Sequence, residues 1–228
     1  TPISATGLYT PTIADLADFD NDGKLDIVLV NKGAATGNVK FWRNVGTTGG
    51  AISASSFSAV TGTFTINSGS VNPKAVDLDC DGYLDVVVAS GPTANIAVMR
   101  STSSVGTISF AAVLSIVTPS PGPVFASAAD FDNDGKPDLV SVTSAATSYV
   151  NVLRNGTTPG TITTGSFTAI AQGPLTVAGY ASHFDVEDLD GDGKLDIVVA
   201  CSTAATVRIF RNTTTGSTIT FAAPFDIP

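Results

Sequence analysis

The sequence predicts an all-β protein that is built from four copies of one unit. The motif D-x-D-x-D-G-x-x-D occurs four times and begins at residues 18, 77, 130 and 188, at spacings of 59, 53 and 58 residues. A β-branched run of strand length follows each copy, as at residues 27–30 after the first. Further apolar runs recur at matched places in every unit. Self-similarity at this period indicates a repeat architecture.

The elements of one unit follow in a fixed order. A short strand enters the acidic loop and a β-branched strand leaves it. A second apolar strand comes next, at residues 39–43, 96–100, 150–154 and 207–211. A Thr/Gly-rich loop then leads to the last strand of the unit, which we expect to carry Phe57, Phe110, Phe167 or Phe221. A linker with Pro or Gly leads to the strand that enters the next acidic loop.

Four short antiparallel strands are the content of one β-propeller blade. We therefore predict a single repeat domain over residues 1–228 made of four four-stranded antiparallel blades. The expected blades cover approximately residues 1–70, 71–121, 122–178 and 179–228. Both ends fall in inter-blade linkers, and no strand is split between them. This phase allows a four-bladed ring, or a part of a larger propeller or array.

The acidic loops predict calcium sites. Carboxylates at positions 1, 3 and 5 converge when the Gly at position 6 permits a sharp turn. Position 7 offers a backbone carbonyl, and the Asp at position 9 closes the cage. Hard oxygen ligands in this number suit Ca²⁺ better than Mg²⁺, so we expect about four ions per chain. The expected carboxylate ligands are Asp18, Asp20, Asp22, Asp26, Asp77, Asp79, Asp81, Asp85, Asp130, Asp132, Asp134, Asp138, Asp188, Asp190, Asp192 and Asp196. The expected carbonyl ligands are those of Lys24, Tyr83, Lys136 and Lys194.

Two other interpretations of these loops are weaker. Solvated turns would leave sixteen carboxylates packed in fours without compensation, and like charges at that spacing repel. An EF-hand needs a Glu at position 12 and flanking helices. The chain has strands there, and its residues at position 12 are Leu29, Val88, Ser141 and Val199.

Composition narrows the possible functions. The formal charge is −9, and 16 of the 20 acidic residues belong to the four loops, so four Ca²⁺ would bring the charge to −1. Nucleic acid is disfavoured because the chain has no basic stripe. No apolar run of about 18 residues occurs, so we expect no membrane insertion. Cys80 and Cys201 occupy different repeat positions, and we expect two free thiols.

The repeat resembles the FG-GAP/VCBS family, over essentially the whole chain. Propellers of that family use the acidic loop between the first and second strand of each blade for calcium. The resemblance implies the same ligand positions in all four loops here. It also implies an extracellular or cell-surface location. Family propellers usually have more blades than the four counted in this chain.

The sequence also predicts roles for several residues outside the loops. Trp42 shares a repeat position with Met99, Leu153 and Phe210, which indicates core packing. His183, the only histidine, has no nucleophile motif near it and is expected to be structural. A further set consists of Asp15, Asp185 and Glu187, which precede their loops and are candidate additional ligands.

Two polar features also recur between units. One Arg ends the second apolar strand of each unit, and we expect these arginines on the blade surface or in inter-blade hydrogen bonds. They are Arg43, Arg100, Arg154 and Arg211. Asn155 and Asn212 begin N-x-T sequons, and we expect both in exposed hairpin loops able to carry a glycan.

These observations predict a protein that is not an enzyme, because no carboxylate pair outside the loops forms an acid and a base. We expect an extracellular calcium-stabilised module for adhesion, or for head-to-tail assembly into a surface fibre or stalk. Its partners would be other copies or neighbouring repeat units, with glycans or cell-surface proteins as further candidates. The alternative is a lectin-like propeller that binds carbohydrate.

Overall fold

The computed structural model describes residues 11–32, 36–62, 64–67, 71–91 and 93–228. This part of the chain forms four antiparallel β-sheets and two single-turn 3₁₀ helices, at Ala54–Ser56 and Thr164–Ser166. The predicted all-β class is confirmed. No helix among the described residues is long and apolar enough to cross a membrane.

Each sheet consists of strands that are consecutive in the chain. The first sheet contains β1 (Pro11–Ala17), β2 (Asp26–Asn31), β3 (Thr36–Asn44), β4 (Phe57–Ala59) and β5 (Phe64–Asn67). The second contains β6 (Val71–Val76), β7 (Asp85–Ser90), β8 (Asn95–Met99) and β9 (Leu114–Val117). The third contains β10 (Pro123–Ala129), β11 (Asp138–Thr143), β12 (Thr147–Asn155), β13 (Phe167–Ala169) and β14 (Leu175–Ala178). The fourth contains β15 (Ala181–Glu187), β16 (Asp196–Cys201), β17 (Thr206–Phe210) and β18 (Phe225–Ile227).

An acidic loop joins the first strand to the second in every sheet. The Asp at position 9 is the first residue of the second strand, and it pairs with the last residue of the first strand. The register of each first pair also shifts once near the opposite end of the first strand, for example between Pro11 and Ile13. The four loops therefore leave their sheets at the same place.

The outer strands differ from the sequence expectation in two sheets. Phe57 and Phe167 begin the short strands β4 and β13, as expected. Phe110 and Phe221 form only single bridges, and the outer strands of those sheets are β9 and β18, further along the chain. The lengths of the third strands of the sheets explain the difference. β3 and β12 are nine residues long and pair two outer strands end to end, whereas β8 and β17 have five residues and pair one.

The hydrophobic core lies between successive sheets. One cluster joins the first and second sheets, another joins the second and third, and another joins the third and fourth. The first of these contains stacked rings of Phe41 and Phe110, whose centroids are 4.5 Å apart, with Phe19 edge-on to both. Trp42 is buried, as expected for a packing residue.

The first strands of the four sheets lie beside one another in chain order, β1 next to β6, β6 next to β10 and β10 next to β15. Residues of all four border one cavity of about 220 Å³. The sheets are therefore arranged around a common axis, like the blades of a propeller. Among the described residues, no hydrophobic cluster joins the first sheet to the fourth.

The packing predicts different costs for the same substitution at one repeat position. Leu78 and Leu189 both occupy position 2 of an acidic loop, but Leu78 is 0% exposed and Leu189 is 51% exposed. Leu78→Ala should lower the free energy of unfolding by about 2–5 kcal/mol because it leaves a cavity between the second and third sheets. Leu189→Ala should change it by less than about 0.5 kcal/mol. Urea unfolding of dilute protein in calcium measures both, and equal costs would contradict this packing.

Candidate metal centres

Backbone amides shape each acidic loop around its carboxylates. In the first loop, the amide N–H groups of Asp22 and Gly23 donate to Asp18 at 3.1 and 2.8 Å, and that of Lys24 donates to Asp22 at 3.0 Å. The same three bonds recur in the other loops. The turn needs positive φ at positions 4 and 6. Gly occupies position 6 in all four loops, and position 4 carries Asn21, Cys80, Asn133 or Gly191.

The loops bring carboxylates together as the sequence predicts, although the closest group differs between loops. In the first and fourth loops, oxygen atoms from positions 1, 3 and 5 lie within 4.8 Å of one another. In the second and third loops, positions 1, 3 and 9 do so. The position of the expected carbonyl ligands and the full ligand set of each loop remain predictions.

The Asp at position 9 is buried and fixed by two backbone amides. One carboxylate oxygen of Asp85 accepts from Leu78 N–H at 2.9 Å and the other from Ser101 N–H at 2.7 Å. Burial outweighs these bonds and raises the pKa of Asp85 to about 7. The pKa of Asp138 is raised to about 7 for the same reason, and that of Asp26 is also raised by burial. Such a carboxylate gains much from a nearby cation, because water cannot solvate its charge.

An arginine pairs with each loop from the end of the third strand of the sheet. Arg100 Nε lies 2.8 Å from Asp79 at position 3, and its Nη2 lies 3.1 Å from Asp81 at position 5. Arg154 makes the same two contacts with its loop at 2.6 Å each. Arg43 and Arg211 are placed alike. Each guanidinium thus contacts two carboxylates, and it offsets part of the loop's negative charge.

The expected inter-blade hydrogen bonds of these arginines were wrong, because each one pairs with the acidic loop of its own sheet. Their side chains are partly exposed, as the surface alternative expected. The signal was present in the sequence. Every unit places four carboxylates in one loop and one arginine at the end of a strand, and no other arginine recurs with the same spacing pattern. Pairing of the second and third strands then brings that arginine beside the loop, as the register of Ile27 with Trp42 shows in the first sheet.

One buried oxygen supports a cation in these loops. Asp79 Oδ1 is buried and has no hydrogen-bond partner. Burial raises the pKa of Asp79, although the Arg100 guanidinium on the other oxygen opposes this. An unpaired buried carboxylate oxygen is costly, and a metal ion beside it would supply the missing contact. The donor set of this loop, which consists only of hard oxygens, therefore fits Ca²⁺.

The acidic loops are also bonded to one another. The side chain at position 4 of each of the first three loops donates to the carbonyl of the Gly at position 6 of the next loop. These bonds are Asn21 to Gly82 at 2.9 Å, Cys80 to Gly135 at 3.4 Å and Asn133 to Gly193 at 3.0 Å. The four loops therefore form one row along an edge of the sheets.

Both sequon asparagines are fully buried, so the expectation of exposed glycan sites was wrong. Asn155 Nδ2 donates to the carbonyls of Leu78 and Pro137, at 2.8 and 2.7 Å. Asn212 Nδ2 donates to those of Phe131 and Leu195, each at 3.0 Å. These amides join one sheet to the preceding one, which leaves no room for a glycan.

The other singled-out residues lie outside the loops' carboxylate groups. Asp15, His183 and Asp185 line the cavity beside the first strands. Asp15 accepts from the amide of Leu16 at 2.9 Å, and Asp185 accepts from that of Val186 at 2.9 Å. None of these three, nor Glu187, belongs to the groups that could hold a metal within the described residues. Cys80 is exposed, Cys201 is buried, and both are free thiols, as expected.

The sheets and their acidic loops define an acidic-loop repeat protein with a propeller-like arrangement. The family model described as FG-GAP-like repeat matches residues 18–88, 77–141 and 130–199. The chain belongs to this family, as the sequence resemblance implied. Its repeats are typical of extracellular adhesion and propeller modules, are generally non-catalytic and often bind calcium. A search of curated proteins finds no match to this sequence.

The raised pKa values predict how pH acts on the metal-free protein. Folded Asp85 and Asp138 hold their protons up to about pH 7, whereas the ordinary Asp pKa is 3.8. Between these values the folded state binds more protons than the unfolded state, so these groups make the free energy of unfolding fall as pH rises. In a chelator, Asp138→Asn should remove part of this fall. Melting temperatures of both proteins across this pH range measure it, and parallel curves would contradict the raised pKa.

Proposed function

We propose that this chain is a non-catalytic extracellular propeller module that calcium stabilises, and that it serves adhesion or head-to-tail assembly into a surface fibre or stalk. One observation carries the proposal. Four acidic loops of one design stand in a hydrogen-bonded row, and each lies at the point where two strands of a sheet meet. An ion bound in such a loop would stabilise the turn that holds it, and it would lie where successive sheets contact one another.

The charge of each loop supports calcium as the stabilising ion. Four carboxylates stand against one arginine, so each loop and its arginine keep a formal charge of about −3, before any Lys at position 7 is counted. A divalent cation offsets most of the remainder. Because it binds the folded loop, it adds to the stability of the whole chain at each site. Oxygen ligands from a flexible turn suit Ca²⁺ better than the tight octahedron of Mg²⁺.

The distribution of shifted pKa values supports a structural role for these groups. Among the described residues, the groups with a shifted pKa are carboxylates, arginines and one thiol of the acidic loops, together with the pair of Arg208 and Asp226. A catalytic site commonly separates an acid from a base by such shifts. Here most of the shifted groups lie in the acidic loops or pair with them, which favours metal binding and internal ion pairs.

A lectin-like role is the second candidate, and the cavity of about 220 Å³ beside the first strands is the observation that favours it. Its lining combines polar side chains from four sheets: Asp15, Asn72, Lys74, Ser127, His183 and Asp185. Such groups could bind sugar hydroxyls. Among the described residues, the lining has no Trp, Tyr or exposed Phe of the kind that sugar sites commonly use for stacking. Binding to a glycan array in calcium, lost in Asn72→Ala, would favour this candidate over the first.

Calcium titration tests the proposed function directly. Equilibrium dialysis should find four Ca²⁺ per chain with dissociation constants on the order of micromolar to millimolar. Chelation should lower the melting temperature by several degrees or more, since each lost ion removes binding free energy from the folded state alone.

Asp79→Asn is the matched variant, because it removes one charge at the unpaired buried oxygen and leaves three loops intact. It should abolish or weaken one site only. Fewer than three ions bound by the unmodified chain, or a melting temperature that ignores the chelator, would refute calcium stabilisation.

A further inference from the structure

The internal sheets show which surfaces a neighbouring sheet covers. We call the side of a sheet that the following sheet covers its trailing face, and the side that packs on the preceding sheet its leading face. Position 2 of the acidic loop lies on the trailing face, since Phe19, Leu78 and Phe131 each belong to the core cluster shared with the following sheet. Three internal interfaces thus repeat the same design.

The trailing face of the fourth sheet is uncovered. Leu189 at position 2 is 51% exposed, whereas its three equivalents are at most 1% exposed. Val207 on the third strand is 36% exposed, although its equivalents Val39, Ile96 and Val150 are 0% exposed. Phe225 and Ile227 of the outer strand are 53% and 47% exposed. Apolar residues at these positions are what the internal sheets bury.

No sheet among the described residues covers the leading face of the first sheet either. Leu16 and Leu25 are each 57% exposed. Their equivalents in the second sheet, Ala75 and Leu84, pack against the core cluster shared with the first sheet. In the fourth sheet, Val186 and Leu195 pack in the same way against the third. The fourth sheet therefore exposes a trailing face and the first sheet a leading face, and these are the two kinds of face that form the internal interfaces.

The two open faces also carry the two partners of a hydrogen bond that two internal interfaces make, an asparagine and a position 2 carbonyl. Asn155 and Asn212 each donate to a carbonyl of their own sheet and to the position 2 carbonyl of the preceding loop. Asn44 occupies the equivalent place in the first sheet and donates to its own Leu25 carbonyl at 3.2 Å. Among the described residues its second acceptor is absent. At the other end, the position 2 carbonyl is that of Leu189, and no described asparagine reaches it.

We propose that the trailing face of the fourth sheet binds the leading face of the first sheet of a second copy, so that copies continue the internal row of sheets. This deepens the proposed assembly role, on which it rests, by naming the two faces and the partner. The occupant is a copy of this chain, because its first sheet carries Leu16, Leu25 and Asn44 at repeat positions that the following sheets use to pack on the sheets before them. Such an interface is heterologous, so copies form a ring if their rotation about the common axis closes and an open chain if it does not.

The contact between copies lacks one bond that the internal contacts have. The side chain at position 4 of the first three loops donates to the next loop, but position 4 of the fourth loop is Gly191. The carbonyl of Gly23 in the next copy therefore receives no such donor. Asn can take this place, because Asn21 and Asn133 adopt positive φ at the same position. Gly191→Asn should tighten the association about two- to tenfold, the usual effect of one hydrogen bond.

Sedimentation velocity in calcium over a range of protein concentrations tests the proposal. The unmodified chain should form dimers or larger species as its concentration rises. Val207→Lys on the trailing face and Leu16→Lys on the leading face should each weaken association about a hundredfold or more, because each places an unpaired charge in the contact. Val117→Lys, at a 72% exposed position of the second sheet, is the matched control and should change nothing.

Mixing the two variants gives the decisive result. Val207→Lys keeps an intact leading face and Leu16→Lys keeps an intact trailing face, so the mixture should form heterodimers that grow no further. Association of either variant alone as strongly as the unmodified chain, or a chain that stays monomeric in calcium at high concentration, would overturn the proposal. Calcium binding by the same variants separates the two ideas. Four ions bound by a monomeric chain would overturn this contact and leave calcium stabilisation standing.

Discussion

Compensation of crowded carboxylates is the constraint on which the rest of this structure depends. Each acidic loop places four aspartates around one turn, and like charges at that spacing would drive the turn apart. Three kinds of group oppose this repulsion. Backbone amides donate to the carboxylates, one arginine bridges positions 3 and 5, and burial favours a proton or a metal ion at position 9. The amides and the arginine offset only part of this charge, and we propose that Ca²⁺ offsets the rest.

The same loops transmit order from sheet to sheet. Position 9 fixes the start of the second strand through two amide bonds, one of which comes from position 2 of the same loop. Position 2 in turn carries the apolar side chain that packs on the following sheet, and its carbonyl receives an asparagine from that sheet in two of the interfaces. An ion bound in the loop would therefore stabilise both the local turn and the contact between neighbouring sheets. The faces of the first and fourth sheets that no described sheet covers are unlike, and the proposed association of copies rests on this difference.

Much of the fold and of the candidate sites could be predicted from the sequence. The spacing of the acidic motif and the β-branched runs give the repeat, the strand order and the place of each loop, because period-2 strands and Asp/Gly turns are local features. The partners of Arg100 and the burial of Asn155 could not be read in the same way. Both depend on which strand ends meet across a sheet or between sheets. An N-x-T triplet shows only that an asparagine could accept a glycan, whereas its burial depends on packing 77 residues away in the chain.

The exposure of Leu189 shows the other limit of sequence reasoning. Its repeat position predicts a core residue, and three of the four copies are buried. What differs is the neighbour, since a leading face must be present to cover it. The same repeat position thus gives a buried or an exposed apolar side chain according to whether a following sheet covers it. The open fourth loop follows from the same cause, with the Asp190 side chain 39% exposed where its three equivalents are 0% exposed.

An anomalous difference map from crystals grown in calcium tests the central claim most directly. The account predicts one peak in each of the four loops, in contact with the oxygen of Asp79 that lacks a hydrogen bond in the second loop. It also predicts that each arginine stays paired with positions 3 and 5 beside the ion. Loops without peaks, in which the arginines alone balance the carboxylates, would contradict it.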